Sequence, residues 1–158
     1  MNDIVSTPPA PSSPATSKVT SGIWWPDIDV NLLREEINLA GEIPHQRLLE
    51  AIRWGVIVVT SELASWQAEK LDAGFAALED VAPDDKVDDE PKLVHLFRMA
   101  VSAQAAARLM QRNPDLTATR EGSDRGDQRR ATADDFLADA THAIRQIKGE
   151  PRTVSELI

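Results

Sequence analysis

The chain of 158 residues contains no cysteine and no tyrosine, and only three phenylalanines and four tryptophans. The absence of cysteine excludes disulfide frameworks, cysteine zinc ligands and cysteine nucleophiles. No apolar run approaches the roughly 20 residues that a transmembrane helix needs. The N-terminus MNDIVSTPPAPSSP lacks the basic start and the apolar core of a secretory signal. We therefore expect synthesis in the cytoplasm and no contact with a membrane.

Recognisable catalytic and metal-binding motifs are absent as well. There is no Walker-type phosphate loop, no G-x-G-x-x-G and no G-x-S-x-G. His45, His95 and His142 fall in different predicted helices without an H-x-x-x-H pair. The acidic run 84–90, DDKVDDE, lacks the spaced D-x-D-x-D-G ligands of a calcium loop, and a proline flanks it on either side. We predict no enzyme activity, no cofactor and no metal site.

Positive charge is also scarce, because 26 acidic residues outnumber 17 basic ones and the formal net charge is −9. Proteins that read duplex DNA bind by neutralising phosphates with lysine and arginine. An acidic chain of this kind is therefore expected to bind proteins.

Helical periodicity dominates what is present. The longest such stretch, 44–71, is apolar almost all the way round at its centre, LLEAIRWGVIVV, which is typical of a helix buried on several sides. The β-branched run 56–60 would also suit a strand. Length, Pro44 near the start and helix-forming flanks favour a helix. Further helices are predicted over 30–40, 91–112 and 132–148, with a short helical piece over 75–78. Gly74 is expected to end the long helix or mark a bend, and Gly149 to end the last helix. The alanine-rich helix 91–112 is expected to pack directly against the long one. The expected fold is all-α: a bundle of about four main helices built around one long central helix.

The remaining segments are expected to be loops and arms. Residues 1–22 are rich in Pro, Ser and Thr and are predicted to be a disordered N-terminal arm. Residues 23–150 form the predicted helical domain, interrupted by an exposed acidic loop over 79–92 and a polar loop over 115–131. Residues 151–158 are predicted to be an extended C-terminal tail.

Tryptophan supplies most of the candidate binding residues. Trp24 and Trp25 are adjacent, and a tandem pair of this kind is either an anchor for a partner or part of the chain's own core. Trp54, in the middle of the long helix, is predicted to lie in the core. Trp66 has polar neighbours and is predicted to lie at an exposed edge or an interface.

The ends of two predicted elements are also informative. Asp27 or Asp29 can cap the helix that begins at Val30. The tail ends on the apolar Leu157 and Ile158, and it suits either a strand added to a neighbour or a segment folded back over its own core.

Five segments, in order, resemble the gpL-type head completion protein family of tailed phages, and the likeness spans residues 23–158. The segments are Trp24-Trp25-Pro26-Asp27-Ile28-Asp29 with a following helix that contains Arg34, Arg47-Leu48-x-x-Ala51, Glu62-Leu63-x-x-Trp66, Leu96-Phe97-Arg98-Met99-Ala100-Val101, and Thr153-Val154-Ser155-Glu156-Leu157-Ile158. This chain departs from the family pattern by having Trp-Trp where Phe-Phe is expected and by the additional Ser155.

The resemblance implies a head–tail connector of the virion neck, made in the cytoplasm of the host bacterium. Such subunits form a ring, expected to be a dodecamer, beneath the portal protein and offer a surface to tail-completion or tail-terminator proteins. DNA would pass through the ring without sequence-specific binding, which an acidic lumen favours by repulsion. The alternative is a small helical regulatory or scaffold-binding protein that recruits one partner through its N-terminal arm.

On the connector hypothesis, the partner-binding residues lie in the Trp-Trp segment, at the edge of the long helix and in the tail. They are Trp24, Trp25, Pro26, Asp27, Ile28, Trp66, Val154, Leu157 and Ile158.

Overall fold

The computed structural model describes residues 12–37, 43–112 and 122–150, with side chains described in these ranges except over 122–132. This part of the chain is mostly helical, so the all-α class is right in outline, although two small antiparallel sheets are added. The elements in chain order are β1 (Lys18–Val19), β2 (Ile28–Asp29), α1 (Val30–Ile37), α2 (His45–Glu62), α3 (Ala64–Asp72), a 3₁₀ turn (Leu78–Asp80), β3 (Lys86–Val87), β4 (Glu90–Pro91), α4 (Lys92–Arg112) and α5 (Gly122–Lys148).

Helix α4 packs against both other long helices, α2 and α5. Its buried side chains include Phe97 and Val101, which are fully buried, and a series of small residues. The buried alanines are Ala100, Ala103, Ala105, Ala106 and Ala107. Small side chains allow helix axes to approach closely. The prediction that this helix packs directly on the long apolar stretch is confirmed.

The prediction of one central helix over 44–71 is not confirmed. The stretch forms two helices, α2 and α3, with Leu63 between them at φ −93° and ψ 0°. Just before this point, the hydroxyls of Thr60 and Ser61 donate to the carbonyls of Val56 and Ile57, each at 2.7 Å. Hydroxyl bonds of this type bend helices, and the side chain of Leu63 is fully buried at the break between the two helices. The β-branched run is helical, so the alternative of a strand is wrong.

The ordered part of the chain begins at residue 12, closer to the N-terminus than predicted. We call residues 12–29, which precede α1, the N-terminal segment. Strand β1 pairs antiparallel with β2, with Lys18 opposite Asp29 and Val19 opposite Ile28. Val19 and Ile28 are both buried in the core. The prediction of a disordered arm is therefore wrong for residues 12–22, and residues 1–11 lie outside the described part of the chain.

Helix ends follow local chemistry closely. The Asp29 carboxylate accepts hydrogen bonds from the amides of Asn31 and Leu32, at 2.8 and 3.0 Å, so the predicted cap of α1 is confirmed for Asp29. Gly74 ends α3 and Gly149 ends α5, at φ +93° and +71° respectively. Each glycine and the residue after it donate to carbonyls in the last helical turn, the Schellman pattern that satisfies otherwise unpaired oxygens.

Two predicted boundaries differ. Helix α5 begins at Gly122, so the predicted loop is wrong over 122–131. Residues 113–121, which include the beginning of that loop, lie outside the described ranges. The predicted end of α1 lies outside them too, because residues 38–42 are not described. The predicted helical piece over 75–78 is instead non-helical, with the 3₁₀ turn beginning at Leu78.

The acidic loop carries a hairpin. Strands β3 and β4 pair antiparallel, with Lys86 opposite Pro91 and Val87 opposite Glu90. The two turn residues, Asp88 and Asp89, have φ of 49° and 62°, which is the left-handed backbone of a two-residue hairpin turn. No helix within the described residues is long and apolar enough to cross a membrane.

Candidate interaction surfaces

Four aromatic rings meet where the N-terminal segment contacts α3 and α4. Trp25 stacks on Phe97 of α4, with ring centroids 4.8 Å apart and an interplanar angle of 13°. Trp24 meets Trp25 edge-on at 4.5 Å and Trp66 of α3 at 5.9 Å. Such pairs stabilise by about 0.5–1.5 kcal/mol beyond the burial of their area. This aromatic cluster therefore joins the N-terminal segment, α3 and α4 into one core.

Trp24 is also held through its polar atoms. Its indole Nε1 donates to the carbonyl of Phe75 at 3.1 Å, and its own carbonyl accepts from the amide of Leu78 at 3.0 Å. These bonds hold the chain that follows α3 against the N-terminal segment. They explain why residues 75–77 are not helical.

The structure divides the predicted partner-binding residues into three groups. Trp24, Trp25 and Ile28 are buried, and Trp66 is only 9% exposed, so the predicted exposed edge at Trp66 is wrong. The reason is that its ring packs on Trp24, which lies far away in sequence. The tandem tryptophans were predicted to be either an anchor for a partner or part of the chain's own core. The structure places both rings in the core.

The accessible part of the same segment is small. Pro26 is half-buried and Asp27 is exposed. The Asp27 carboxylate accepts a 2.7 Å hydrogen bond from the Lys18 ammonium. Val154, Leu157 and Ile158 lie outside the described residues. Partner binding through any of these residues stays a prediction.

A polar network attaches the beginning of the described chain. The guanidinium of Arg34 donates to the carbonyl of Ile43 at 2.6 Å and to the hydroxyl of Ser13 at 2.9 Å. His45 Nδ1 lies 2.8 Å from the same hydroxyl. Because Ser13 is buried, this network fixes the N-terminal segment against α1 and the start of α2.

Trp54 lies on the surface, so its predicted core position is wrong. Its side chain is 40% exposed, and that of Ile57, one turn further along α2, is 57% exposed. The guanidinium of Arg108 on α4 lies over the Trp54 ring at 4.4 Å from the centroid. Arg108 also donates to the Glu50 carboxylate at 2.7 Å, and Arg112 approaches that carboxylate at 3.9 Å.

Together with Arg53, which is exposed and adjacent to Trp54 in sequence, these side chains define a surface that we call the Trp54 face. It consists of Glu50, Arg53, Trp54, Ile57, Arg108 and Arg112. The hydrogen bond from Arg108 is the main cause of the lowered pKa of Glu50; burial opposes it, and the charges of Arg108 and Arg112 add to the lowering. Helical spacing carried a signal for this face, since positions 50, 53, 57 and 61 surround Trp54 on one side of the helix and three of them are polar.

A groove of about 710 Å³ lies between α1, α4 and α5. Its apolar lining includes Leu32, Met99 and Phe136. At one end, Glu90 accepts a 2.8 Å hydrogen bond from Arg98 and lies 3.3 Å from His95. These contacts hold the hairpin against α4. Across the described ranges, no group of three His or acidic residues is arranged to hold a metal ion.

The exposed Trp54 and the arginines around it are of the residue types that are enriched at the centres of protein interfaces. The family model described as phage head completion protein (GPL) matches residues 19–158, and the chain therefore belongs to the phage head completion protein family. It is 33% identical over 136 residues to the head completion/stabilization protein of Escherichia phage P2, covering 86% of this chain and 80% of that protein. No solved structure matches the chain.

The predicted family is thereby confirmed. The chain has a structural role in head completion and virion assembly, and it is associated with the phage particle. The family match begins at Val19, the second residue of β1. This start agrees with an ordered domain that begins before the tandem tryptophans.

Proposed function

We propose that this protein is the head–tail connector of its phage. Its subunits form a ring, a dodecamer, beneath the portal protein at the neck of the virion. The ring stabilises the DNA-filled head and gives tail-completion or tail-terminator proteins their attachment surface. DNA passes through its lumen without sequence-specific binding.

The observation that carries this proposal is the family match over residues 19–158. A relative whose name includes stabilization supports a function after the head has been filled. The formal net charge of −9 supports the passage of DNA, because like charges repel and an acidic lumen does not retain the duplex.

The candidate binding residues then have two roles. Trp24, Trp25, Ile28 and Trp66 hold the N-terminal segment in place from within the core. Pro26 and Asp27 present the accessible edge of that segment to the portal. Val154, Leu157 and Ile158 of the tail supply the apolar side chains of a second portal contact.

DNA-filled heads that lack this protein provide the test. Adding the purified protein should protect the packaged DNA from nuclease and allow tails to attach, with both effects measured on the same particles. Deleting residues 153–158 should leave the melting temperature unchanged and abolish binding to purified portal.

Asp27→Lys tests the other contact, and Glu62→Lys, also exposed, is its matched control. Weaker portal binding by Asp27→Lys alone is the expected result. Failure of the unaltered protein to protect the DNA would overturn the connector function. Undiminished portal binding after the tail deletion would overturn the assignment of the tail.

A further inference from the structure

We propose that neighbouring copies of this protein join head to tail, with the Trp54 face of one copy bound to the acidic segment of the next. The acidic segment is residues 79–89, which contain the 3₁₀ turn and the first strand and turn of the hairpin. This inference rests on the proposed ring and identifies the two surfaces that build it.

The Trp54 face has the composition of an interface centre. Tryptophan and arginine are the residue types most enriched among side chains that dominate binding energy. Here Arg108 is fixed twice, by stacking on Trp54 and by its hydrogen bond to Glu50. Ordering these side chains before binding lowers the entropy that association costs. Ile57 extends the apolar area by one turn of α2.

The charge of the Trp54 face indicates which surface binds to it. Although the whole chain is strongly acidic, the Trp54 face has three arginines and one glutamate, so an acidic partner fits it. The acidic segment has six exposed carboxylates and one lysine, Lys86, within its limits. The carboxylates belong to Glu79, Asp80, Asp84, Asp85, Asp88 and Asp89.

An apolar side chain accompanies these carboxylates. Val87, at the end of β3, is 48% exposed beside the turn of the hairpin. It can be buried against Trp54 and Ile57 while the surrounding carboxylates meet the arginines. This arrangement, with an apolar centre and a charged rim, is common in protein interfaces.

The positions of the two surfaces favour a contact between two copies. Helix α4 has 21 residues, which corresponds to about 32 Å at 1.5 Å per residue. The hairpin directly precedes the first residue of α4, whereas Arg108 and Arg112 lie in its last two turns. The arginines of the Trp54 face therefore lie at the opposite end of α4 from the acidic segment, whereas Gly55, next to Trp54, packs against Val101 near the middle of α4. A contact between two different surfaces repeats from copy to copy and closes into a ring when its rotation permits.

Thiol cross-linking tests this contact directly, because the chain has no cysteine of its own. Ile57→Cys and Val87→Cys place one thiol on each surface at exposed positions. With portal present and a short bismaleimide reagent, a chain that carries both changes should give a ladder of covalent multimers. An equimolar mixture of the two single variants should stop at dimers. Either single variant alone should give no dimer.

Leu71→Cys is the matched control for Ile57→Cys, because it too replaces an exposed apolar side chain, here on α3. Combined with Val87→Cys, it should not give the ladder. An equally strong ladder from this control, or dimers from Ile57→Cys alone, would overturn the head-to-tail contact. Circular dichroism of each variant verifies that the fold is retained.

Charge reversal supplies a second test that needs no cross-linker. Arg53→Glu/Arg112→Glu should prevent ring formation on the portal, and so should Asp84→Lys/Asp85→Lys. Mixing the two variants should restore rings of alternating copies, because each reversed surface then meets an opposite charge. Rings formed by either variant alone would overturn the proposal.

The proposed function can be judged separately. Heads completed normally by a protein that gives neither ladder nor charge dependence would overturn this interface and leave the connector function standing. A specific ladder from a protein that does not stabilise filled heads would overturn the connector function and leave this interface standing.

Discussion

A Cβ atom at Gly55 would lie 2.7 Å from the carbonyl oxygen of Val101, so α2 and α4 meet backbone to backbone at this point. The same atom would lie 3.3 Å from the Val101 side chain and 3.4 Å from Gln104 Cβ. Gly55 is thus required by packing in the middle of a helix, where glycine is otherwise unfavourable. The contact determines how closely the two helices approach.

Gly55→Ala should therefore destabilise the fold, although alanine favours a helix by about 1 kcal/mol over glycine. Relieving the contact means moving backbone, and overpacking of this kind typically costs about 1–3 kcal/mol. Urea denaturation should show a net loss for Gly55→Ala. Gln46→Ala, at an exposed position on the same helix, should change the unfolding free energy by less than about 0.5 kcal/mol. Equal effects of the two changes would contradict the close contact.

Trp25→Ala should destabilise the fold severely, because it removes the ring that stacks on Phe97 and leaves a cavity. Replacing a buried large aromatic residue by alanine typically costs about 3–5 kcal/mol. Thermal or urea denaturation measures the loss. Ile23→Ala, two residues earlier and fully exposed, should be nearly neutral. A stable Trp25→Ala protein that fails only in portal binding would show instead that this tryptophan is a partner anchor.

Arg34→Gln should loosen the N-terminal segment more than it affects the rest of the domain. The change removes the donors that reach the Ile43 carbonyl and the Ser13 hydroxyl. A buried acceptor left without a donor costs about 1–3 kcal/mol. The half-buried Ile43 carbonyl loses its donor, whereas the Ser13 hydroxyl keeps its contact with His45. Hydrogen exchange should accelerate at the amide of Val30, which bonds to the carbonyl of Ser17, and in β1. Amides of α4 should keep their protection, and uniform acceleration would contradict a local role for Arg34.

The sequence predicted the helical elements well because their signals are local. Apolar periodicity located most of α4, the cap at Asp29 marked the start of α1, and Gly74 and Gly149 marked two helix ends. Each of these features depends on neighbours within about one helical turn.

Burial of the tryptophans was predicted wrongly because it depends on distant contacts. Polar neighbours in sequence suggested an exposed Trp66, yet the ring that covers it belongs to Trp24. Apolar neighbours suggested a buried Trp54, yet this side chain is 40% exposed, and the guanidinium of Arg108 on another helix lies over its ring. The strand pairing of Val19 with Ile28 was missed for the same reason, since two residues in each strand leave no periodic pattern.

The contact between Glu50 and Arg108 should make a pH-dependent contribution to stability. The pKa of Glu50 is lowered in the fold, so the folded state binds its proton more weakly than the unfolded state does. The contribution is therefore present above the ordinary glutamate pKa of about 4.3 and is lost as pH falls through the lowered value. Because Glu50 is half-exposed and screened by solvent, its size should be at most about 1 kcal/mol.

Glu50→Gln should accordingly lower the unfolding free energy at pH 7 and have little effect at pH values below the lowered pKa. Urea denaturation at both pH values measures the difference. Arg108→Met is the informative companion, because it also removes the stacking on Trp54 and should destabilise the protein at both pH values. A loss in Glu50→Gln that is the same at neutral and acidic pH would mean that the carboxylate charge does not stabilise Arg108. The Trp54 face would then be ordered by stacking alone.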